Sequence, residues 1–151
     1  MIDILKNTQK QIADTIPELQ YVDEDWGQID YYSTNMPVKW PLALIDITDA
    51  NFSNLGMDRT KTPIQRQIGK IFISITIANL KLTNTSYRAP QQQKDDAWKI
   101  WEVIGRIHEE LHGWNPTLMA GKLIRESFNR VKRDDGVQEY KIVFSTTLKD
   151  T

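Results

Sequence analysis

The sequence predicts an α+β fold, with two helices on one face of a mostly antiparallel sheet of four to five strands. Three observations predict it. The segment GKIFISITIANLKL, residues 69–82, alternates strictly and places its isoleucines on one face of a strand. Residues 90–113 form a helical segment of roughly 30 Å, long enough to cross a sheet. The final segment, residues 123–148, contains an Asp135-Gly136 turn typical of a β-hairpin.

The remaining elements complete the order α-β-β-β-α-β-β within one domain, residues 1–151. The first helix has apolar side chains at helical spacing and ends before Pro17; these are Ile2, Leu5, Ile12 and Ile16. Residues 19–32 mix aromatic and charged side chains and predict one or two short strands. Residues 42–48, LALIDIT, are typical of a short buried strand.

One long connection stands out in this order. Residues 51–67 are rich in Asn, Ser, Gly and Pro, which predicts a long mobile loop. Loops of this length in compact domains are usually functional or disordered. This one contains Arg59, Lys61 and Arg66 without a catalytic pair, so it fits a partner-docking segment better than an active site.

Composition excludes several classes of function. The chain has 151 residues, with 40% hydrophobic and 26% charged residues, as in ordinary globular proteins. Its 19 basic and 20 acidic side chains give a net charge of −1, which argues against a strongly basic nucleic-acid binder or a polybasic membrane anchor. With no cysteine there are no disulfides or thiolate sites. The N-terminus lacks a signal-peptide pattern and no apolar run spans a membrane, which favours the cytoplasm.

The long helix ends in a stretch that spells a zinc-peptidase motif. His108 and His112 are one helical turn apart, with Glu109 beside them in the place of a general base. A catalytic zinc usually needs a third protein ligand, and the remaining acidic candidates, Glu126 and Glu139, fall in the predicted hairpin. The alternative is structural: Ala97, Trp101, Ile104 and Leu111 define the apolar stripe, His108 lies in its middle, and Gly113 ends the helix. We therefore expect no enzymatic role, no metal and no cofactor, with a small zinc hydrolase as the alternative from a different class.

Two further patterns each allow a binding role and a structural one. Trp98 and Trp101 lie on or beside the predicted core stripe, whereas Trp26 and Trp40 are better candidates for an interface, where aromatic side chains are enriched. The last hairpin carries a basic cluster that predicts either a nucleic-acid-binding module or a solvated strand edge: Lys122, Arg125, Arg130, Lys132 and Arg133.

These segments follow one another in an order that resembles a known protein family. The helix ILKNTQKQIADTIPEL is followed by WPLALIDI, a polar segment, and a strand with the pattern Q-x-G-x-x-x-I-x-I-x-I at residues 67–77. A long helix ending IHEELHG and a hairpin ending YKIVFSTTL complete the chain. This sequence resembles the tail-terminator, or tail-completion, proteins of tailed bacteriophages and prophages over nearly its whole length.

The resemblance implies a non-enzymatic virion protein. Members of this family form homo-oligomeric rings, commonly hexamers, that cap the tail tube and provide the surface on which the head connector docks. The implied partners are copies of the chain itself, the tail tube protein and head–tail connector proteins, with DNA passing through the ring without specific binding. The implied location is the virion tail or neck, after assembly in the host cytoplasm. Another neck or head–tail connector protein is the nearest alternative.

Overall fold

A computed structural model describes residues 1–30, 37–81 and 83–149. The elements are α1 (Ile2–Thr15), β1 (Tyr21–Glu24), β2 (Leu42–Met57), β3 (Gln65–Leu80), α2 (Gln91–Leu111), β4 (Ile124–Val131) and β5 (Val137–Lys149). Among the described residues, five strands form one sheet in the order β1-β2-β3-β5-β4. Neighbouring strands are antiparallel except β1 and β2, which are parallel. The predicted α+β class and element order are confirmed, and the sheet is mixed.

The core lies between the sheet and the two helices. β3 is central because it pairs with both β2 and β5. The alternation predicted for this strand is confirmed, since four of its side chains are fully buried on the helix face: Ile71, Ile73, Ile75 and Ile77. Neighbouring positions of β5 extend the same layer with Tyr140, Ile142, Phe144 and Leu148. Burying each of these side chains contributes roughly 1.5–3 kcal/mol.

The buried stripe of α2 differs from the predicted one. It consists of Ala97, Ile100, Val103, Ile104, Ile107 and Leu111. Trp98 and Trp101 are exposed and His108 is only half-buried, so placing them in the core was wrong. The helix is rotated because Ile100, Val103 and Ile107 offer a wholly apolar line to the sheet. Amphipathic indole and imidazole rings are better placed at its flank. Gly113, at φ +81°, follows the helix end as predicted.

The opposite face of the sheet carries a smaller apolar cluster of Ile29, Leu42, Leu44, Ala78 and Val137. Trp40 and Val38 pack against it from the segment that precedes β2. Residues 19–32 contain β1 and a 3₁₀ turn at Gln28–Asp30, and the last two of them lie outside the described residues. This second cluster therefore holds the segment before β2 against the sheet face opposite the helices.

The prediction of a long mobile loop at residues 51–67 was wrong. β2 continues to Met57 and β3 begins at Gln65, so most of this segment forms an antiparallel ribbon that we call the arm. Cross-strand pairing overrides the loop-like composition, with Met57 opposite Gln65 at the far end. At its base the Phe52 ring lies over Gly69, where a Cβ would come within 2.7 Å of a ring carbon. The glycine thus allows the aromatic ring to cover the neighbouring strand.

Candidate functional site

The arm is a two-stranded ribbon with little core of its own. β5 pairs with β3 only as far as Ile68, and β1 pairs with β2 only up to Ile45, so no third described strand supports the far end. Four large apolar side chains of the arm are exposed, at 43% for Phe52, 56% for Leu55, 61% for Met57 and 48% for Ile64. An isolated ribbon of this kind is marginally stable in water, and grouped exposed apolar side chains mark interaction surfaces.

The tip of the arm, residues 58–64, is an ordered turn. The Asp58 carboxylate accepts hydrogen bonds from the Thr60 hydroxyl at 2.6 Å and the Thr60 N–H at 2.9 Å. These bonds, the hydroxyl first, hold the pKa of Asp58 below its usual value. The Asp58 N–H donates to the Ile64 carbonyl at 2.9 Å and closes the turn. Hydrogen bonds between polar groups of the tip therefore hold the turn, and its apolar side chain at Ile64 remains exposed to solvent.

The three cations predicted for an interface divide into two groups. Arg59 and Lys61 are exposed on the tip. Arg66 is only 9% exposed, and its guanidinium donates to the Pro63 carbonyl at 3.0 Å. Arg66 thus helps to hold the turn, whereas Arg59 and Lys61 give the tip its accessible positive charge.

A groove of about 650 Å³ lies at the other end of the molecule, where α2 crosses the start of β2 and the end of β3. Ile100 and Val103 are apolar residues of its lining, and Pro41 and Asn79 come from the sheet side. The lining has four carboxylates and two cations. The carboxylates are those of Glu18, Asp96, Glu102 and Glu109, and the cations are Lys99 and Arg106.

Both cations of the groove are paired. Lys99 lies 3.3 Å from the Asp96 carboxylate, and Arg106 lies 3.7 Å from that of Glu18. Arg106 also donates to the Thr15 carbonyl, which joins α2 to α1. Within the described part of the chain, Glu102 and Glu109 take part in no salt bridge, so the groove has unneutralised negative charge.

Gly105 also lines the groove, in the middle of α2. A Cβ built at this position meets no atom within 4 Å, so the space above the helix backbone is open. Glycine inside a helix costs roughly 0.5–1 kcal/mol relative to alanine. No packing of the described residues explains this cost.

The two histidines of the motif lie side by side on α2, with ring centroids 4.9 Å apart. The Nδ1 atom of His112 accepts a hydrogen bond from the Arg125 N–H at 3.1 Å, and that of His108 is buried with no hydrogen-bond partner among the described residues. Burial lowers the pKa of His108, and the positive charges of Arg125 and His112 lower it further.

A third zinc ligand is missing from this arrangement. Glu126 accepts a hydrogen bond from Ser145, and Glu139 belongs to an ion cluster near the β4–β5 turn. Glu109, the proposed general base, lines the groove. In the described ranges no three His, Asp or Glu side chains are grouped as a metal site requires. The geometry therefore offers two ligands where a catalytic zinc usually has three.

Arg133 does not belong to an accessible basic surface, contrary to the nucleic-acid alternative. Its side chain is 8% exposed and forms a fork to Asp135 with bonds of 2.7–3.1 Å. It also bonds Glu139 at 3.0 Å, Asp30 at 2.7 Å and the Ile29 carbonyl at 2.8 Å. These contacts fix the 3₁₀ turn to the sheet. The other four cations of the predicted cluster remain solvent-exposed.

Protonation in this cluster follows burial and pairing. Hydrogen bonds from Arg133 hold the pKa of Asp135 below its usual value. Glu139 is more deeply buried, and desolvation raises its pKa although Arg133 opposes the shift. The Arg133 pKa is raised, chiefly by its bonds to Asp135. The guanidinium is therefore charged and already satisfied, which leaves it little capacity to bind a phosphate.

The β4 edge is the third exposed feature. β4 pairs only with β5 among the described strands, and seven of its eight residues are exposed. Phe128 stacks on Tyr140 at 5.7 Å, and Trp101 lies 5.8 Å from Phe128. Trp101 and Phe128 are both more than 40% exposed, so the edge carries aromatic surface beside its open backbone groups. Open edges of this kind pair readily with another chain.

The remaining interface candidates are far from the arm in the sheet. Trp26 is exposed just after β1, with its indole N–H 3.4 Å from the Asp23 carboxylate. Trp40 is half-buried on the second cluster just before β2. The structure thus brings Arg59, Lys61 and Arg66 together and separates them from both tryptophans.

The apolar side chains of the arm escaped sequence reasoning because Asn, Ser and Gly are interspersed among them, which is the composition of a loop. The groove also escaped, since it depends on how α2 meets Pro41 and Asn79. Gly105 carried a usable signal: an isolated glycine in a strongly helical segment needs a packing or functional reason.

Comparisons with known proteins place the chain in no family. No family model matches it. No curated protein matches it. Among solved structures, a chain of the virion of a native gene transfer agent (GTA) particle is similar at a TM-score of 0.43 and 8% identity, covering 97% of this chain and 91% of that one. A likeness this distant carries no conclusion about function. No helix in the described ranges is long and apolar enough to cross a membrane.

Proposed function

We propose that this chain is a structural virion protein, a tail terminator that assembles into a homo-oligomeric ring. The ring, a hexamer in this proposal, caps the tail tube and offers the opposite face to the head–tail connector proteins. DNA passes through the ring without specific binding. The chain is non-enzymatic, is assembled in the host cytoplasm, and remains in the tail or neck of the virion.

The arm is the observation that carries the proposal. Leu55 and Met57 are more than half exposed on a ribbon that is formed, among the described residues, by two strands alone. A monomer gains no stability from exposing apolar side chains at the end of such a ribbon, whereas an oligomer buries them against a neighbouring copy. A projecting arm of this kind therefore favours an assembly protein over an enzyme.

The positions of the arm and the groove are compatible with a ring. The arm lies at one end of the β2–β3 pair and the groove at the other, so complementary surfaces face different directions. Head-to-tail contacts between unlike surfaces form a ring whenever the rotation closes. The resemblance of the sequence to tail terminators supplies the place of that ring in the virion.

Electron microscopy of the chain with the tube protein of its own phage tests this proposal. Purified alone, the chain is expected to form rings of about six subunits. Added to growing tubes, it is expected to be found at one end of each tube and to stop elongation. A strict monomer at high concentration would contradict the ring. Rings that bind the connector and ignore tubes would identify a different neck protein.

A further inference from the structure

On the basis of the ring proposed above, we infer that the tip of the arm docks in the α2 groove of the neighbouring subunit. The occupant is residues 58–64 of a second copy, together with the exposed apolar side chains of its ribbon. This contact, repeated around the ring, would be the main link between subunits.

The dimensions of β3 require the contact to be intermolecular. β3 has 16 residues, which at about 3.3 Å per residue spans roughly 50 Å. Gln65, beside the tip, is its first residue, and Asn79, in the groove lining, lies one residue from its end. Because β3 pairs continuously with β2 from Gln65 and with β5 from Ile68, its two ends lie at opposite ends of the sheet, and a chain cannot place its own tip in its own groove. An arm tip that docks in this groove therefore belongs to another copy.

The charges of the two surfaces are complementary. The exposed side chain of Arg59 gives the tip positive charge, and Lys61 beside it already interacts with another group of the chain. In the groove, Glu102 and Glu109 are left after Lys99 and Arg106 have paired with Asp96 and Glu18. Opposite charges at a contact favour one orientation and speed association.

The apolar contribution comes mainly from the tip, where Ile64 and the neighbouring Met57 are exposed. In the groove, Ile100 and Val103 are almost fully buried, whereas Gly105 is exposed. Gly105 keeps the helix backbone accessible at the same place, although alanine would stabilise the helix. An entering side chain is a reason for this glycine, since close approach to a backbone is a common use of glycine.

Cross-linking between two single-cysteine variants tests the contact directly. The chain has no native cysteine, so introduced thiols react without background. Lys61→Cys is mixed with Glu102→Cys and treated with a short bismaleimide. A cross-linked dimer is expected in the mixture and in neither variant alone. The control pairs Lys61→Cys with Asn129→Cys, an exposed position on β4 outside the groove, and should give no dimer.

The outcomes separate this inference from the ring itself. Rings that form without the Lys61–Glu102 cross-link would overturn the docking inference and leave the proposed function intact. A cross-link to the cysteine of Asn129→Cys instead would show that the arm contacts the β4 edge, and this result would also overturn the docking inference. If neither rings nor cross-links formed, the result would contradict the proposed function as well as the docking inference.

A pair of substitutions at Gly105 provides a second test with a built-in folding control. Gly105→Leu fills the groove, and Gly105→Ala leaves most of it open; both residues favour the helix, so both variants should fold. We expect Gly105→Leu to reduce cross-linking by about tenfold or more, a change equivalent to roughly 1.4 kcal/mol, and Gly105→Ala, which adds one methyl group, to reduce it by a smaller factor. Equal yields for the two variants would contradict docking in the groove.

Discussion

β3 passes through two environments along one strand. Residues 71–77 lie mid-sheet, and the isoleucines among them are fully buried beneath the helices. Among the described strands, residues 65–67 pair with β2 alone, in a ribbon whose large apolar side chains are mostly solvent-exposed. The two halves therefore differ both in backbone pairing, which is on two edges of β3 mid-sheet and on one edge in the arm, and in the burial of their side chains. The body of the sheet holds the fold together, and the arm is available for contacts with another molecule.

Replacing one cation in the body and one in the arm should give the largest difference in the free energy of unfolding between the two regions. Arg133→Met leaves Glu139 and Asp135 buried without their partner, and a broken buried network of this kind costs about 3–5 kcal/mol. Arg59→Met at the exposed tip should change the free energy of unfolding by about 0.5 kcal/mol or less. Urea titration at neutral pH measures both. Similar losses for the two variants would show that the arm is part of the folded core.

Truncating one apolar side chain in each region gives the next largest difference. Ile75→Ala empties a fully buried site and should lower the free energy of unfolding by about 2–5 kcal/mol. Leu55→Ala, already more than half exposed, should change it by about 0.5 kcal/mol or less in the monomer. The measurement is thermal unfolding at a protein concentration where no ring forms. A large loss for Leu55→Ala would mean that the arm packs within its own chain.

Gly105→Ala should move stability in the opposite direction. The added methyl group meets nothing within 4 Å, and alanine is the better helix former, so the free energy of unfolding should rise by about 0.5–1 kcal/mol. Chemical denaturation against the unsubstituted chain measures this. A decrease would indicate that some contact in the described structure already requires glycine, and would weaken the link between Gly105 and docking.

The smallest expected effect is a pH dependence from His108 in the body. Burial lowers its pKa in the folded chain, so below the ordinary histidine pKa of about 6.5 the unfolded state binds more protons than the folded one. Stability should therefore fall as pH falls through this value, until the folded-state pKa is also passed. His108→Gln should flatten this slope in unfolding curves taken between neutral and mildly acidic pH. An unchanged slope would assign the dependence to other groups.

Much of the body was predictable from the sequence because its signals are local. The alternation of Ile71 to Ile77 predicts the strand and its helix-facing side, and Gly113 predicts the helix end. The opposite face was expected to be mostly uncovered, yet Ser74 and Thr76 are buried there as well. The rotation of α2 was not predictable from the helix alone. His108 and Trp101 fit an apolar stripe on a wheel, but the line through Ile100, Val103 and Ile107 is the one that meets the sheet.

The arm and the groove were less predictable because both depend on tertiary pairing. Residues 51–57 have the composition of a loop and become a strand only because β3 lies alongside them. Residues far apart in sequence, such as Glu18 and Glu109, meet in the groove, and no spacing rule relates them. The role of Arg59 and Lys61 at an interface stays a prediction, and the groove proposed to receive them could not be inferred from the sequence because it depends on tertiary contacts.

Native mass spectrometry of an arm-shortened chain tests most directly whether the arm serves assembly. In this variant Asn-Gly replaces residues 55–66, so that a two-residue turn joins Asn54 to Gln67, which face each other in the ribbon. The unaltered chain should give a closed ring of about six subunits, and the shortened chain a folded monomer with nearly unchanged unfolding temperature. Rings of the same size from both chains would contradict a role for the arm in assembly.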